Sequence, residues 1–279
     1  MRKAMKLMLA AIAVSGMLSG CTSMDDNPVE PKPSEKPKKV LKSYEMYSNA
    51  TLDTSTEITY DKQGRVTGVY NKYSLDDGYS TEYVIYNYES NKIIETSTFS
   101  NTIRTYLLND AGVVEKMTTD SYDGSIDLNV VDEYTYDSDN RMLAKNSLTD
   151  KIHKFYWSDD EMTRYEIGDQ AVYEYYVNIT PSEVSTDNYI LPYTPFESMN
   201  SIVYMMGYFG KPSKHLPAQR YTKALSSLGW SEVTEIFTYT VTDGYVTKMV
   251  YDSDFTMVTA EKSYIRNNKR EYIFNWEEL

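Results

Sequence analysis

Six windows of the sequence repeat one arrangement: an alternating aromatic and polar run, a few turn-forming residues, then a second alternating run. The clear copies are TEITYDKQGRVTGVY from Thr56, RTYLLNDAGVVEKM from Arg104, VDEYTYDSDNRMLAKN from Val131 and EIFTYTVTDGYVTKMVY from Glu235. Looser copies are EYVIYNYESNKIIETS from Glu82 and AEKSYIRNNKREYIF from Ala260. Asp61 to Gly64, Asp110 to Gly112 and Asp243-Gly244 supply residues that tolerate left-handed φ, and Asn91, Asn140 and Asn267-Asn268 are placed to do the same. Short Asp/Asn/Gly connections between alternating runs specify β-hairpins. Tyr60, Tyr86, Tyr106, Tyr136, Tyr239 and Tyr264 mark one position per unit.

The expected fold is all-β, an antiparallel meander of about 14 to 18 strands. The 28 tyrosines agree, because tyrosine favours strands and tolerates a half-wet face. Phe237, Tyr239 and Val241 fall on one face of a strand and Thr238, Thr240 and Thr242 on the other. So many strands laid flat expose long edges, so the sheet is expected to curl into a barrel-like or rolled form.

Residues 194–209, TPFESMNSIVYMMGYF, break the strand pattern. Thr194, Pro195 and Glu197 form a capping box with proline at the first helical position. Phe196, Met199, Ile202, Val203 and Met206 share one helical face. Gly207 or Gly210 ends the helix and Pro212 stops it. The segment reads as a core helix that plugs the curled sheet, or as a methionine-rich gate over a cavity. GKPSKHLPAQRYTKAL, which follows, is expected to be a long loop.

The first residues set a location. Arg2, Lys3 and Lys6 precede LMLAAIAVSGMLSG, an apolar run too short to cross a bilayer and suited to a secretory leader. Leu18, Ser19, Gly20 and Cys21 resemble the bacterial lipobox, which implies a diacylglyceryl group on the Cys21 thiol and cleavage after Gly20. Residues 1–20 are then the leader, 21–39 the lipidated cysteine with a Pro- and charge-rich tether, and 40–279 a single all-β domain. The stretch TSMDDNPVEPKPSEKPKK is a stiff spacer. Cys21 is the only cysteine, so no disulfide forms within the chain. Asp25 and Asp26 resemble the acidic export signal of Bacteroidota-type surface lipoproteins, which implies display on the cell surface. The periplasmic face of the outer membrane is the alternative.

The chain carries a net charge of −13, and loss of three positive charges with the leader leaves the remainder near −16. Such a protein repels nucleic acid and anionic lipid, and no basic stripe offsets this. Nucleic acid is therefore excluded as a partner. The membrane is reached through the anchor at Cys21.

The hairpin YDKQGRV, with the lipobox and acidic tether, resembles Bacteroidota lipoproteins of a domain-of-unknown-function class with a porin-like fold. YFGKPSKHLP, from Tyr208 to Pro217, is similar to a loop of that class. YDKQGR also resembles the YD repeats of large surface shell proteins, which are longer and richer in glycine. The resemblance implies a fold and a location and no activity.

Sites of chemistry are sparse. His153 and His215 have no His or Cys neighbour at ligand spacing and no partner carboxylate in view, so no zinc site is expected. Asp137 starts a DSDNR stretch similar to a calcium loop, but Met142 and Leu148 stand where glycine and glutamate are needed, so it reads as a turn. There is no Gly-x-Ser-x-Gly and no phosphate-cradling glycine loop. No catalytic, cofactor-binding or metal-ligating residues are assigned, and no cofactor is expected. A membrane-spanning barrel fits poorly, because the polar faces carry many Thr, Asp, Glu and Asn and the chain ends in FNWEEL. The expected role is a non-enzymatic module that binds a ligand, a glycan or an envelope protein. Trp157, Trp230 and Trp276 are the aromatic candidates for stacking on sugar rings. The alternatives are a carboxylate-based glycoside hydrolase and a passive structural protein of the envelope.

Overall fold

The computed structural model describes residues 39–121, 130–147, 151–168, 171–176, 201–226, 229–259 and 263–278. The leader, Cys21 and the tether to residue 38 lie outside them. The first strands are β1 (Lys39–Ser48), β2 (Thr51–Tyr60), β3 (Val66–Leu75), β4 (Gly78–Glu89), β5 (Lys92–Ser97) and β6 (Thr102–Leu108). Next come β7 (Val114–Ser121), β8 (Val130–Tyr136), β9 (Met142–Ser147), β10 (His153–Ser158), β11 (Glu161–Ile167) and β12 (Ala171–Tyr176). Helix α1 (Ser201–Met205) is followed by β13 (Gln219–Ser226), β14 (Gly229–Thr242), β15 (Tyr245–Thr259) and β16 (Ser263–Glu278). Each strand pairs antiparallel with the next, and β1 pairs with β16 to close a barrel. The closing seam runs from Lys39 opposite Glu278 to Ser48 opposite Arg270. The 16 strands lie within the expected range, and closure removes the open edges that argued for curling.

The turns from even to odd strands repeat one device. Asp61 Oδ1 accepts from the backbone N–H of Gln63 and Arg65, and its Oδ2 accepts from Arg65 Nε. Asp137 does the same for Asp139 and Arg141. Asn109 holds Ala111 and Val113 through its amide oxygen. The residue that must take positive φ is Gly64, Gly112 or Asn140. In the second turn the capping residue is therefore Asn109, one place before the Asp110 singled out above.

A register shift follows each of these turns, at Thr59/Tyr60, Leu107/Leu108 and Thr135/Tyr136. Similar shifts occur at Leu41/Ser43, Tyr156/Trp157 and Thr240/Val241. A bulge interrupts the ladder and leaves a carbonyl needing another donor. Aromatic side chains supply it. Tyr60 Oη donates to Leu41 O, Tyr88 to Val66 O and Tyr136 to Val114 O. Trp157 Nε1 donates to Met142 O and Trp276 Nε1 to Val246 O; Tyr239 Oη makes the same kind of bond to Pro217 O, at the irregular entry to β13 and not at a bulge. The ring thus fills the barrel end while its polar tip closes the backbone gap. Among the aligned tyrosines, Tyr60, Tyr136 and Tyr239 make this clasp. On β4 the clasp falls to Tyr88, and Tyr86 is buried in the barrel.

The same end is plugged. Among the described residues helix α1 is Ser201–Met205, and Met206 to Phe209 of the expected 194–209 helix form a turn instead; Thr194, Pro195, Phe196, Glu197 and Met199 lie outside the described residues. Ile202, Val203, Tyr204 and Phe209 are buried in the core. Gly207 and Gly210 take positive φ and turn the chain after the helix. A Cβ on Gly210 would stand 2.2 Å from Asn140 O, so only glycine fits there. The plug is tied to the turns by Val114 N–H to Tyr208 O, Lys211 N–H to Asn140 O and Lys214 N–H to Asp160 O. Lys211 Nζ meets Asp160 at 2.8 Å.

Two expectations are corrected. The stretch after the helix is irregular only to Ala218; from Gln219 it is strand β13, paired along its length with β12 and β14. Asn267-Asn268 form no turn, because β15 supplies a partner strand opposite both, with Asp254 facing Asn267 and Ser253 facing Asn268.

Odd strands run from the plugged end toward the open end and even strands return. The described chain therefore starts, at Lys39, and finishes, at Glu278, at the plugged end.

Candidate functional site

Charges that fall in phase with buried apolar residues end up inside the barrel. Glu95 alternates with Ile93 and Ser97 on β5, all buried. Arg104 stands opposite Glu95 in register and is ion-paired with it. Tyr106 Oη donates to the other carboxylate oxygen at 2.8 Å. Lys145 Nζ meets Asp132 Oδ2 at 3.1 Å with both side chains buried. Across the barrel, Arg220 pairs with Glu235 through two guanidinium nitrogens. Removing one member of such a pair strands a buried charge, which costs about 3–5 kcal/mol.

Between this polar layer and the plug lies a cavity of about 150 Å³, lined by Tyr44, Val69, Asn71, Glu82, Val84, Tyr86, Glu95, Arg104 and Ile202. That is room for about five waters. Ile202 of the plug helix forms the floor. Val69 and Val84 are lower on the wall, and Asn71 and Glu82 sit one pleat nearer the open end. Glu82 accepts hydrogen bonds from Asn71 Nδ2, Tyr73 Oη and Ser97 Oγ. Burial opposes its charge, but those donors win and hold the carboxyl below its ordinary range. The Arg104 side chain is 33% exposed and gives one nitrogen to Glu95. Planar amide, carboxylate and guanidinium groups beside two phenol rings suit a ligand with an apolar ring face and a hydroxyl edge.

Trp157 and Trp276 are spent on carbonyl clasps and packed against the core. Trp230 is 46% exposed on the outer wall, with Lys223 Nζ 5.2 Å from its ring centre. His153 is buried on β10 and shares a hydrogen bond with Tyr165 Oη. His215 has the carboxylate partner that local sequence hides, Glu161, at 2.6 Å on β11. Asp137 caps a turn, as read from the sequence. Among the described residues, no group of three or more His, Cys, Asp and Glu is placed to hold a metal ion. Cys21 lies outside the described residues. The sequence reading did not single out Glu82, Glu95 or Arg104. Their signal was charge in phase with a buried face.

The model of a family described as a domain of unknown function (DUF4595) with porin-like fold matches residues 58–273. The chain is similar to the crystal structure of a porin-like protein from Bacteroides uniformis, with 17% identity and a TM-score of 0.58. The match covers 85% of this chain and 98% of that one and shows a shared fold. A porin-like protein from Bacteroides vulgatus matches at 9% identity and a TM-score of 0.32, over 86% of this chain and 99% of that one. A search of the curated proteins finds no match.

Proposed function

The chain belongs to the family of domains of unknown function with a porin-like fold, and from that premise we propose that it is a lipid-anchored envelope barrel holding a sugar-like ligand. The cavity above the plug carries this reading, because it combines two phenol rings with Asn71, Glu82, Glu95 and Arg104 in a small volume. Glu82, kept ionised by three donors, serves as a fixed acceptor for ligand hydroxyls and not as a proton donor. That favours holding a glycan over cleaving it.

Three features support anchoring over insertion. A porin-like fold is compatible with an envelope protein. The lipobox at Cys21 offers an acylation site, and acyl chains added there supply stable membrane attachment. The outer wall carries the ion pairs Lys42–Glu277, Lys223–Glu232 and Lys248–Glu271, whereas a lipid-facing band is apolar. The described chain begins, at Lys39, at the plugged end, which suits an orientation with the open end away from the membrane. Surface display, suggested by Asp25 and Asp26, suits such an orientation.

Calorimetric titration of the full chain in detergent with a panel of host and dietary saccharides tests the ligand. Binding that weakens at least tenfold in Arg104→Leu is expected. Absence of binding by every saccharide at millimolar concentration sinks the reading. For the anchor, Cys21→Ala is expected to release the protein in soluble form, and protease shaving of intact cells separates the outer face from the inner one.

A further inference from the structure

The carboxylates of the inner polar layer follow a rule that one of them breaks. Glu95 pairs with Arg104, Asp132 with Lys145 and Glu235 with Arg220, so each of these three faces a cation. Glu82 on β4 does not. Among the described residues it makes no ion pair. Its partners are Asn71 Nδ2 at 3.1 Å, Tyr73 Oη at 2.7 Å and Ser97 Oγ at 2.6 Å, all uncharged. The residue facing it in register on β3 is Asn71, where a lysine or arginine would have supplied the missing charge. Burial opposes the charge of Glu82, and the three donors outweigh burial, with Arg104 the weakest of the listed helpers.

Glu82 lines the cavity together with Glu95 and Arg104. Two carboxylates against one guanidinium leave one negative charge on that wall. The acceptor capacity points the same way. A carboxylate offers about four lone-pair sites, two on each oxygen. Oε2 of Glu82 takes Asn71 and Tyr73, whereas Oε1 takes Ser97 alone. One place on Oε1 therefore stays open. Tyr44 and Tyr86 line the same cavity, and phenol rings attract a cation over their faces.

We propose that the cavity selects an amine-bearing sugar, whose ammonium group donates to Glu82 Oε1 while its ring hydroxyls meet the Arg104 nitrogens not given to Glu95. This rests on the sugar-holding reading of the cavity and narrows it to a ligand class. An ammonium carries three donors and no acceptor, and a charge-assisted hydrogen bond is stronger than a neutral one. A neutral sugar brings no countercharge to Glu82, and an acidic sugar is repelled by the net charge of the wall.

Calorimetric titration of the full chain in detergent with glucosamine, N-acetylglucosamine, glucose and glucuronate tests this. Glucosamine is expected to bind about tenfold tighter than glucose or N-acetylglucosamine, and glucuronate weakest of the four. In Glu82→Gln, which keeps the shape and one acceptor oxygen, the ratio of glucosamine to glucose affinity is expected to fall toward one. A measurement on the parent needs no variant to fold: added salt is expected to weaken glucosamine binding and to leave glucose binding unchanged. Equal binding of glucosamine and glucose by the parent, or tightest binding of glucuronate, overturns the amine preference and leaves the cavity reading standing. A preference that persists in folded Glu82→Gln, or that salt does not weaken, overturns the role of Glu82. Failure of every saccharide to bind the parent, amine-bearing ones included, overturns the cavity reading and the preference together.

Discussion

A tyrosine in this barrel does two jobs at once. The ring of Tyr136 packs against the core while its hydroxyl donates to Val114 O, 2.6 Å away, at the point where a bulge has broken the ladder. Tyr136→Phe keeps the packing and leaves that carbonyl unpaired, so a loss of about 1–3 kcal/mol is expected. In a thermal melt that is a drop of several degrees, whereas Tyr83→Phe, on the exposed outer wall, is expected to change little. The sequence showed that tyrosines recur once per hairpin, but not which one clasps. Tyr86 and Tyr88 differ by one pleat, lie on the same face and carry the same side chain, and only the distance to the bulge separates them. The carbonyl partner is 22 residues away for Tyr88 and Tyr136, beyond the reach of any local pattern.

The turns and the plug share one electrostatic device. Hydrogen bonds and cations hold Asp61, Asp137 and Asp160 below the ordinary carboxylate range: Arg65 acts on the first, Arg141 on the second and Lys211 on the third. A carboxyl lowered in the folded state contributes stability that is present above its unfolded value, about 4, and is lost as pH falls through the lower folded value. Thermal stability is therefore expected to hold down to about pH 5 and to fall below it. Asp137→Asn is expected to fold, because Asn109 caps the sister turn with an amide. Its melting temperature is expected to fall less steeply between pH 5 and pH 3, measured by circular dichroism. The hairpins were legible because Asp, Asn and Gly stand where φ turns positive. The plug was legible only as a helix, since its ties run to Asn140 and Asp160 on distant turns and to Glu161 at the start of β11. Asn267-Asn268 misled because paired asparagines suit a turn, yet β15 continues opposite them and overrides that preference.

At the scale of the whole barrel, burial acts on the phenols together. Desolvation raises Tyr60, Tyr73, Tyr88, Tyr106, Tyr134, Tyr136, Tyr204 and Tyr272 well above the usual phenol range. A group raised in the folded state stabilises fully below its unfolded value, near 10, and that contribution is lost as pH rises toward the folded value. Spectrophotometric titration is expected to show exposed tyrosines ionising near pH 10 and the buried set ionising in one later step that coincides with unfolding. A single smooth titration of all tyrosines would contradict the filled interior. Strand number was legible in the repeats, but closure was not, since β1 and β16 meet across more than two hundred residues. That seam carries a consequence for manufacture. A polypeptide delivered N-terminus first can lay its second strand beside the opening one, but the other edge of that opening strand stays bare until the final segment has emerged. The nascent ribbon carries that bare edge through all of its delivery, and a message truncated before codon 263 is expected to give not a smaller can but an adhesive strip.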